Sequence, residues 1–285
     1  MTSRDADRKP MTGAPEPATP AAKIVGAAPS ESADERAAAA AVRGMFTSIA
    51  PRYDLLNHLL SFNVDRIWWR RAARTFAHVL ERNDAVVLDI CCGTGDMAFA
   101  LWRQAQRAHQ LPHPSSSLRS GSGWGTRNTA ISGVDFSHAM LVRARDKSAE
   151  RNLRWIEADA LQLPFEDGRF RLVTSAFGFR NLANYNAGLR EIYRVLAPGG
   201  EIGILDFGEP SGWIGKLYRV YFRRVLPAIG TLISGVRGPY AYLPQSVQRF
   251  PAPEQMLDRM RAAGFHDVSW TPYTFGIAGL YRGTK

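Results

Sequence analysis

The chain has 285 residues, 45% of them apolar and 11% aromatic, with a formal net charge of +10. That is chain enough for one fair-sized core plus appendages, while two adjacent cysteines, Cys91 and Cys92, exclude a disulfide framework and lack the spacing of a zinc site. No apolar run reaches the roughly 20 residues that span a bilayer and the N-terminus has no signal-peptide core, so the expectation is a cytoplasmic protein without a metal.

Residues 1–42 are rich in Ala, Pro, Ser and charge, with no strand pattern and no aromatic anchor, and read as a disordered tail. Its Ala-rich end, Ala33–Val42, can begin the helix that follows. From Met45 to Leu80 apolar residues recur at helical spacing, broken at Pro51 and near Ser61–Val64, which predicts a helical prelude to a domain spanning 43–285. The pattern then changes. Ala85–Ile90 (AVVLDI) predicts a strand, Cys91–Asp96 (CCGTGD) a glycine-rich turn and Met97–Gln106 a helix. Residues 109–128, rich in Ser, Gly and Pro, read as a flexible inserted loop.

Three further strands are expected at Ala130–Val134, Leu153–Glu157 and Phe170–Ser175, with helical stretches between them. Alternation of this kind predicts an α/β fold with a doubly wound, mostly parallel sheet. Right-handed crossovers bring all the strands' carboxyl ends to one edge, where a ligand binds. Downstream, a helix over Ala187–Leu196 is ended by Pro198-Gly199-Gly200 and followed by a strand at Glu201–Phe207. A helix over Gln255–Ala263 leads into antiparallel strands at His266–Pro272 and Thr274–Tyr281.

The chemistry sits at the predicted strand ends. Gly93 and Gly95 let the backbone turn sharply and a ligand approach without a Cβ in the way, although packing alone also uses such glycines. Asp135 ends the second strand, where a carboxylate can accept both hydroxyl hydrogens of a ribose; the alternative is a cap on the next helix. Asp159-Ala160 ends the third, offering a carboxylate and an amide to an adenine, or simply a turn. Asp89 is a candidate partner for an ammonium group. No GxGxxG or GKS/T is present, and three carboxylates would repel a pyrophosphate. A cationic nucleoside, S-adenosyl-L-methionine, fits better.

These residues resemble the ubiquinone and menaquinone biosynthesis C-methyltransferases, within the Rossmann-like class I methyltransferases. The segments that carry the resemblance are Phe46–Phe62 (FTSIAPRYDLLNHLLSF), Leu88–Asp96 (LDICCGTGD), Phe177–Leu182 (FGFRNL), Arg194–Gly200 (RVLAPGG) and Tyr240–Pro251 (YAYLPQSVQRFP). The glycine loop is shared by many methyltransferases, whereas YDLLN, FGFRN and YAYLPQS are far more specific. The resemblance implies cofactor contacts at Thr94, Asp135 and Asp159-Ala160, a prenylated quinol as acceptor, and a homodimer. It favours demethylmenaquinol, with 2-polyprenyl-6-methoxy-1,4-benzoquinol as the alternative. Arg180 and Asn181 are candidates for holding a developing phenolate, and Tyr53 for a hydrogen bond to the quinol, with Asp54 and Asn57 beside it.

The chain departs from the pattern at Asp159 (more often Asn), at Ala176 (Ser in some members), at Asn63-Val64 and at Asp206-Phe207-Gly208 (often Glu-Phe-Ser). Residues 211–250 hold Lys216, Arg219, Arg223, Arg224, Arg237 and Arg249, seven interleaved aromatics and no acid. For an acceptor dissolved in a bilayer this stretch predicts a basic amphipathic insertion, hence peripheral contact with the inner face of the cytoplasmic membrane. An RNA methyltransferase, or a non-catalytic binding module of the same fold, is the rival. Against these stand the lack of an RNA-binding module or NPPY-type tetrapeptide, and an intact Arg180-Asn181 pair, so no nucleic-acid partner is expected.

Overall fold

The run Val86–Ile90 (β1) is buried because both of its faces are covered, and its side chains alternate between two cores. The computed structural model describes residues 25–27, 29, 32–50, 63–82, 84–110, 129–148, 153–210, 215 and 239–285. Leu88 and Ile90 point into a core with Leu189, Ile192, Met256 and Met260. Val87 points the other way, to Trp68, Trp69, Phe76, Met97 and Leu101.

The helices are α1 (Glu35–Ile49), α2 (Val64–Thr75), α3 (Ala77–Leu80), α4 (Asp96–Gln110), α5 (His138–Lys147), α6 (Tyr185–Val195), α7 (Pro239–Arg249) and α8 (Pro253–Ala262). The remaining strands are β2 (Ala130–Asp135), β3 (Leu153–Glu157), β4 (Phe170–Ala176), β5 (Leu196–Phe207), β6 (His266–Tyr273) and β7 (Ala278–Thr284). They form one sheet in the order β3-β2-β1-β4-β5-β7-β6, parallel from β3 to β5, with β7 antiparallel to both of its neighbours. The expected α/β sheet with antiparallel C-terminal strands is therefore present.

Residues 35–42 begin α1, as the Ala-rich end of the N-terminal segment allowed, and the N-cap Asp34 accepts from the Ala37 amide at 2.7 Å. Two boundaries differ from the sequence reading. β5 starts at Leu196 rather than after Gly200. Leu196 pairs with Phe170, Glu201 pairs with Leu172, and the Pro198-Gly199-Gly200 turn bulges between them with Gly199 at φ +71°. The last strand begins at Ala278 instead of Thr274, because Thr274, Phe275 and Gly276 have φ of +46°, +58° and +87° and cannot extend. The chain's last residue is tied into this edge. Lys285 exchanges backbone hydrogen bonds with Gly199 and Gly200, and its Nζ donates to the Tyr193 carbonyl at 2.7 Å, satisfying the C-terminus of α6.

Helix α4 runs to Gln110, and residues 111–128 of the expected insertion lie outside the described residues, as do Tyr53, Asp54, Asn57 and all of 211–238 except Gly215. Among the described residues, no helix is long and apolar enough to cross a membrane, and no group of three or more His, Cys, Asp or Glu could hold a metal.

Candidate active site

From β1 the chain crosses to β2 on one side, and it returns to β4 on the other, so a crevice opens between the carboxyl ends of β1 and β4. The two strands end alike, in a non-glycine residue with left-handed backbone: Cys91 (φ +50°) and Phe177 (φ +57°). The turns nearly touch. A Cβ on Gly178 would lie 2.4 Å from Cys91 Cβ and 2.8 Å from its carbonyl oxygen, so only glycine fits there. Around this point lies a cavity of about 420 Å³, in the range of small-molecule sites.

One end of the cavity is acidic. Asp89 is fully buried; its Oδ1 accepts from the Thr174 hydroxyl at 2.8 Å, and its Oδ2 has no hydrogen-bond partner among the described residues. Burial pushes its carboxyl up to about 7, against the opposing pull of the Thr174 hydroxyl. Asp135 is also buried. Its Oδ2 accepts from the Gly93 amide at 2.8 Å and its Oδ1 from the Ser137 amide at 2.9 Å, so it braces the glycine loop and the entry to α5 at once. Burial raises its carboxyl to about 6, less than for Asp89 because those amides favour the charged form.

Gly93 and Gly95 have φ of +55° and +89°, as the sharp turn requires. The Thr94 hydroxyl accepts from Lys147 Nζ at 2.9 Å, and Asp159 Oδ1 takes the Leu161 amide at 2.8 Å in a turn beside Ala160. Asp89, Gly93, Thr94, Asp135, Asp159 and Ala160 all line the cavity; Gly95 shapes the loop behind them.

The other end holds the FGFRN turn. Arg180 and Asn181 form a short 3-10 helix after β4 and both line the cavity. Arg180 is not a free cation. Its guanidinium is buried, donates to Asp206 Oδ1 at 2.8 Å and to the Phe177 carbonyl, and lies 5.1 Å from the centre of the Phe207 ring. Asp206 in turn accepts from the backbone amides of Arg180 and Phe207 at 3.1 and 2.8 Å. The sequence reading gave Arg180 the task of holding a phenolate; with Asp206 neutralising it, the side chain is better placed to fix the turn than to supply net charge.

Asn181 Oδ1 accepts from the Tyr242 hydroxyl of α7 at 3.3 Å, and among the described residues its side-chain nitrogen donates to none. Burial raises the Tyr242 phenol to about 12, so it stays a donor. Met45, Phe46 and Ile49 of α1 and Trp68 and Trp69 of α2 supply the apolar walls.

Asp206, Tyr242 and Cys91 were not among the site residues expected from sequence. A signal existed for the first two, because Asp206-Phe207-Gly208 was noted as a departure and Tyr242 lies within YAYLPQS. The left-handed turn at Cys91 leaves no mark in composition or periodicity.

Comparison with known proteins agrees with this geometry. The model of the ubiE/COQ5 methyltransferase family matches residues 31–285. A demethylmenaquinone methyltransferase of Thermus thermophilus is 48% identical over 244 residues, covering 85% of this chain and all of that protein. A ubiquinone/menaquinone biosynthesis C-methyltransferase of Geobacter sulfurreducens is 42% identical over 249 residues, covering 86% of this chain and 88% of its own length. Among solved structures, a S-adenosylmethionine-dependent methyltransferase of Thermotoga maritima, described as a possible histamine N-methyltransferase, superposes with a TM-score of 0.57 at 18% identity, over 85% of this chain and 99% of that one. At that identity the likeness speaks for the fold alone.

Proposed function

The chain belongs to the ubiE/COQ5 methyltransferase family, and from that premise we propose that it methylates the ring carbon of demethylmenaquinol. The cofactor is S-adenosyl-L-methionine, which when bound supplies an electrophilic methyl group on a sulfonium. The observation that carries the reading is one cavity joining the acidic strand ends to the Arg180-Asn181 turn. Its residues fit a cationic nucleoside: among the described residues Arg180 is the one basic side chain in the lining and its charge is met by Asp206, although its Nε has no partner, while Asp89 holds a buried acceptor oxygen without a partner. Demethylmenaquinol is preferred to the methoxybenzoquinol because the 48% and 47% identical relatives carry the demethylmenaquinone methyltransferase name.

On this reading Asp89 faces the ammonium, Asp135 the ribose and Asp159-Ala160 the adenine, with Thr94 closing the loop. The ring hydroxyl must lose its proton as charge moves onto the attacking carbon, and Asn181 is placed to hydrogen-bond the oxygen left behind. Arg180, held by Asp206, keeps Asn181 at that point, and the proton leaves through water, since a guanidinium cannot serve as base. The apolar walls exclude bulk water from the reacting pair. Tyr53 remains a proposed contact of the quinol, outside the described residues.

The test is transfer of labelled methyl to reduced demethylmenaquinone and, in parallel, to the methoxybenzoquinol. Label on the first and not the second is expected, with at least a tenfold loss of kcat for Asn181→Ala. Cofactor binding without transfer to either quinol would refute the reading and favour the RNA or non-catalytic alternative.

Asp89 gives a pH prediction. In the unfolded chain its carboxyl loses its proton near pH 4, while in the free folded protein it does so at about 7. The unfolded state therefore binds fewer protons across that window, and this group lowers stability as pH rises from about 4 to about 7. A cationic partner needs the carboxylate form. Cofactor affinity is therefore expected to rise about tenfold between pH 6 and 8, as calorimetry would measure, and in Asp89→Asn to keep only the smaller rise that Asp135, with its carboxyl at about 6, contributes. Equal affinity at both pH values in the wild type would count against the assignment.

A further inference from the structure

The exposed side of α2 forms a second surface beside the cavity. Its buried side, Asp65, Trp68, Trp69, Ala72 and Ala73, faces inward, and Asp65, Trp68 and Trp69 also line the cavity. The outward side carries Arg66, Arg70 and Arg74, spaced four apart and so in one row, with Arg71 next to them and no exposed acid. Ile67 stands on this same side, 61% exposed.

Trp68 Nε1 donates to Thr274 Oγ1 at 2.8 Å, which ties α2 to the turn between β6 and β7. The next residue of that turn, Phe275, is 76% exposed. Its ring is held outward by two successive left-handed residues, Thr274 and Phe275, a conformation non-glycine residues adopt reluctantly. Arg71 braces the same turn, its guanidinium 4.2 Å from the centre of the Tyr273 ring.

Two large apolar side chains displayed to solvent cost free energy in water, and a row of guanidinium groups beside them matches a layer of phosphates. The geometry points to this face as a docking surface for an anionic lipid bilayer. Phe275 and Ile67 enter the acyl boundary, the arginine row meets the headgroups, and the neighbours Trp68 and Thr274 bring the cavity to that layer. The surface is built from residues other than the 211–250 stretch, and its use rests on the proposed lipid-tailed acceptor. A nucleic-acid backbone would satisfy the arginines but leave Phe275 and Ile67 without a role.

The experiment is sedimentation of the full chain with phosphatidylcholine vesicles, with and without about one third phosphatidylglycerol, at about 0.1 M salt. Binding only to the anionic vesicles is expected. At about fivefold per arginine, the variant Arg66→Gln/Arg70→Gln/Arg74→Gln should lose of the order of a hundredfold in partitioning, and Phe275→Ser several-fold. Both variants should still methylate a short-tailed, water-soluble quinol at the wild-type rate. Wild-type vesicle binding by both variants would overturn the proposal. So would loss confined to the arginine variant together with displacement of the vesicles by single-stranded RNA. The soluble assay keeps the two ideas apart: a wild-type protein inactive on the short-tailed quinol refutes the acceptor, while the vesicle result still decides the surface.

Discussion

Arg180→Ala should unfold the protein at a temperature lower by roughly 10 °C and abolish methyl transfer. The substitution leaves Asp206 buried with no counter-charge, and breaking a buried pair by removing one partner costs about 3–5 kcal/mol. It also removes the donors that hold the Phe177 carbonyl, so the turn that carries Asn181 loosens. The double variant Arg180→Met/Asp206→Leu separates the two effects. Replacing both charges by apolar groups removes the unpaired buried charge and should recover part of the thermal stability, read by calorimetry, without restoring kcat; the rest stays lost because the Arg180 and Phe207 amides no longer have Asp206 to donate to. Recovery of kcat in the double variant would show that the ion pair does nothing beyond filling space.

Gly178→Ala is expected to be nearly as damaging, although it adds a single carbon. The new Cβ would sit 2.4 Å from Cys91 Cβ, and neither neighbour can yield, because Cys91 and Phe177 are both locked in left-handed turns at the ends of β1 and β4. Separating these turns moves the glycine loop and the Arg180-Asn181 turn apart, so cofactor affinity and kcat should fall together, each by at least tenfold. Stability should drop by about 1–3 kcal/mol. Adding Cys91→Gly removes the opposing Cβ and relieves the positive φ, and should return part of both losses. A Gly178→Ala protein with wild-type kinetics would mean that the two turns are not mechanically coupled.

The parts of this fold legible in sequence are those set by short-range rules. β-branched runs gave β1 to β4 within a residue or two at each end, and the carboxylates at their ends were found because strand ends and glycine loops are local patterns. Asp135 shows the limit. Its place at a strand end suits both a ribose acceptor and a cap on the next helix, and the structure has it holding the Gly93 and Ser137 amides, which periodicity cannot reveal. Arg180 shows a second limit. Its partner Asp206 is 26 residues away on the neighbouring strand, so its neutralisation follows from the register of β4 against β5, which the sequence does not state. The misplaced start of β7 has a third origin. Thr274-Phe275 has high strand propensity, and the tight turn overrides it.

Lys285 has a practical consequence for anyone producing this protein. Its backbone continues the pairing with Gly199 and Gly200 and its ammonium seals the end of α6. An affinity handle fused directly after it would begin inside an interlocked edge, close to the strand that delivers Asp206. Purification and immobilisation through this end call for a spacer long enough to leave the Gly199 and Gly200 pairing undisturbed.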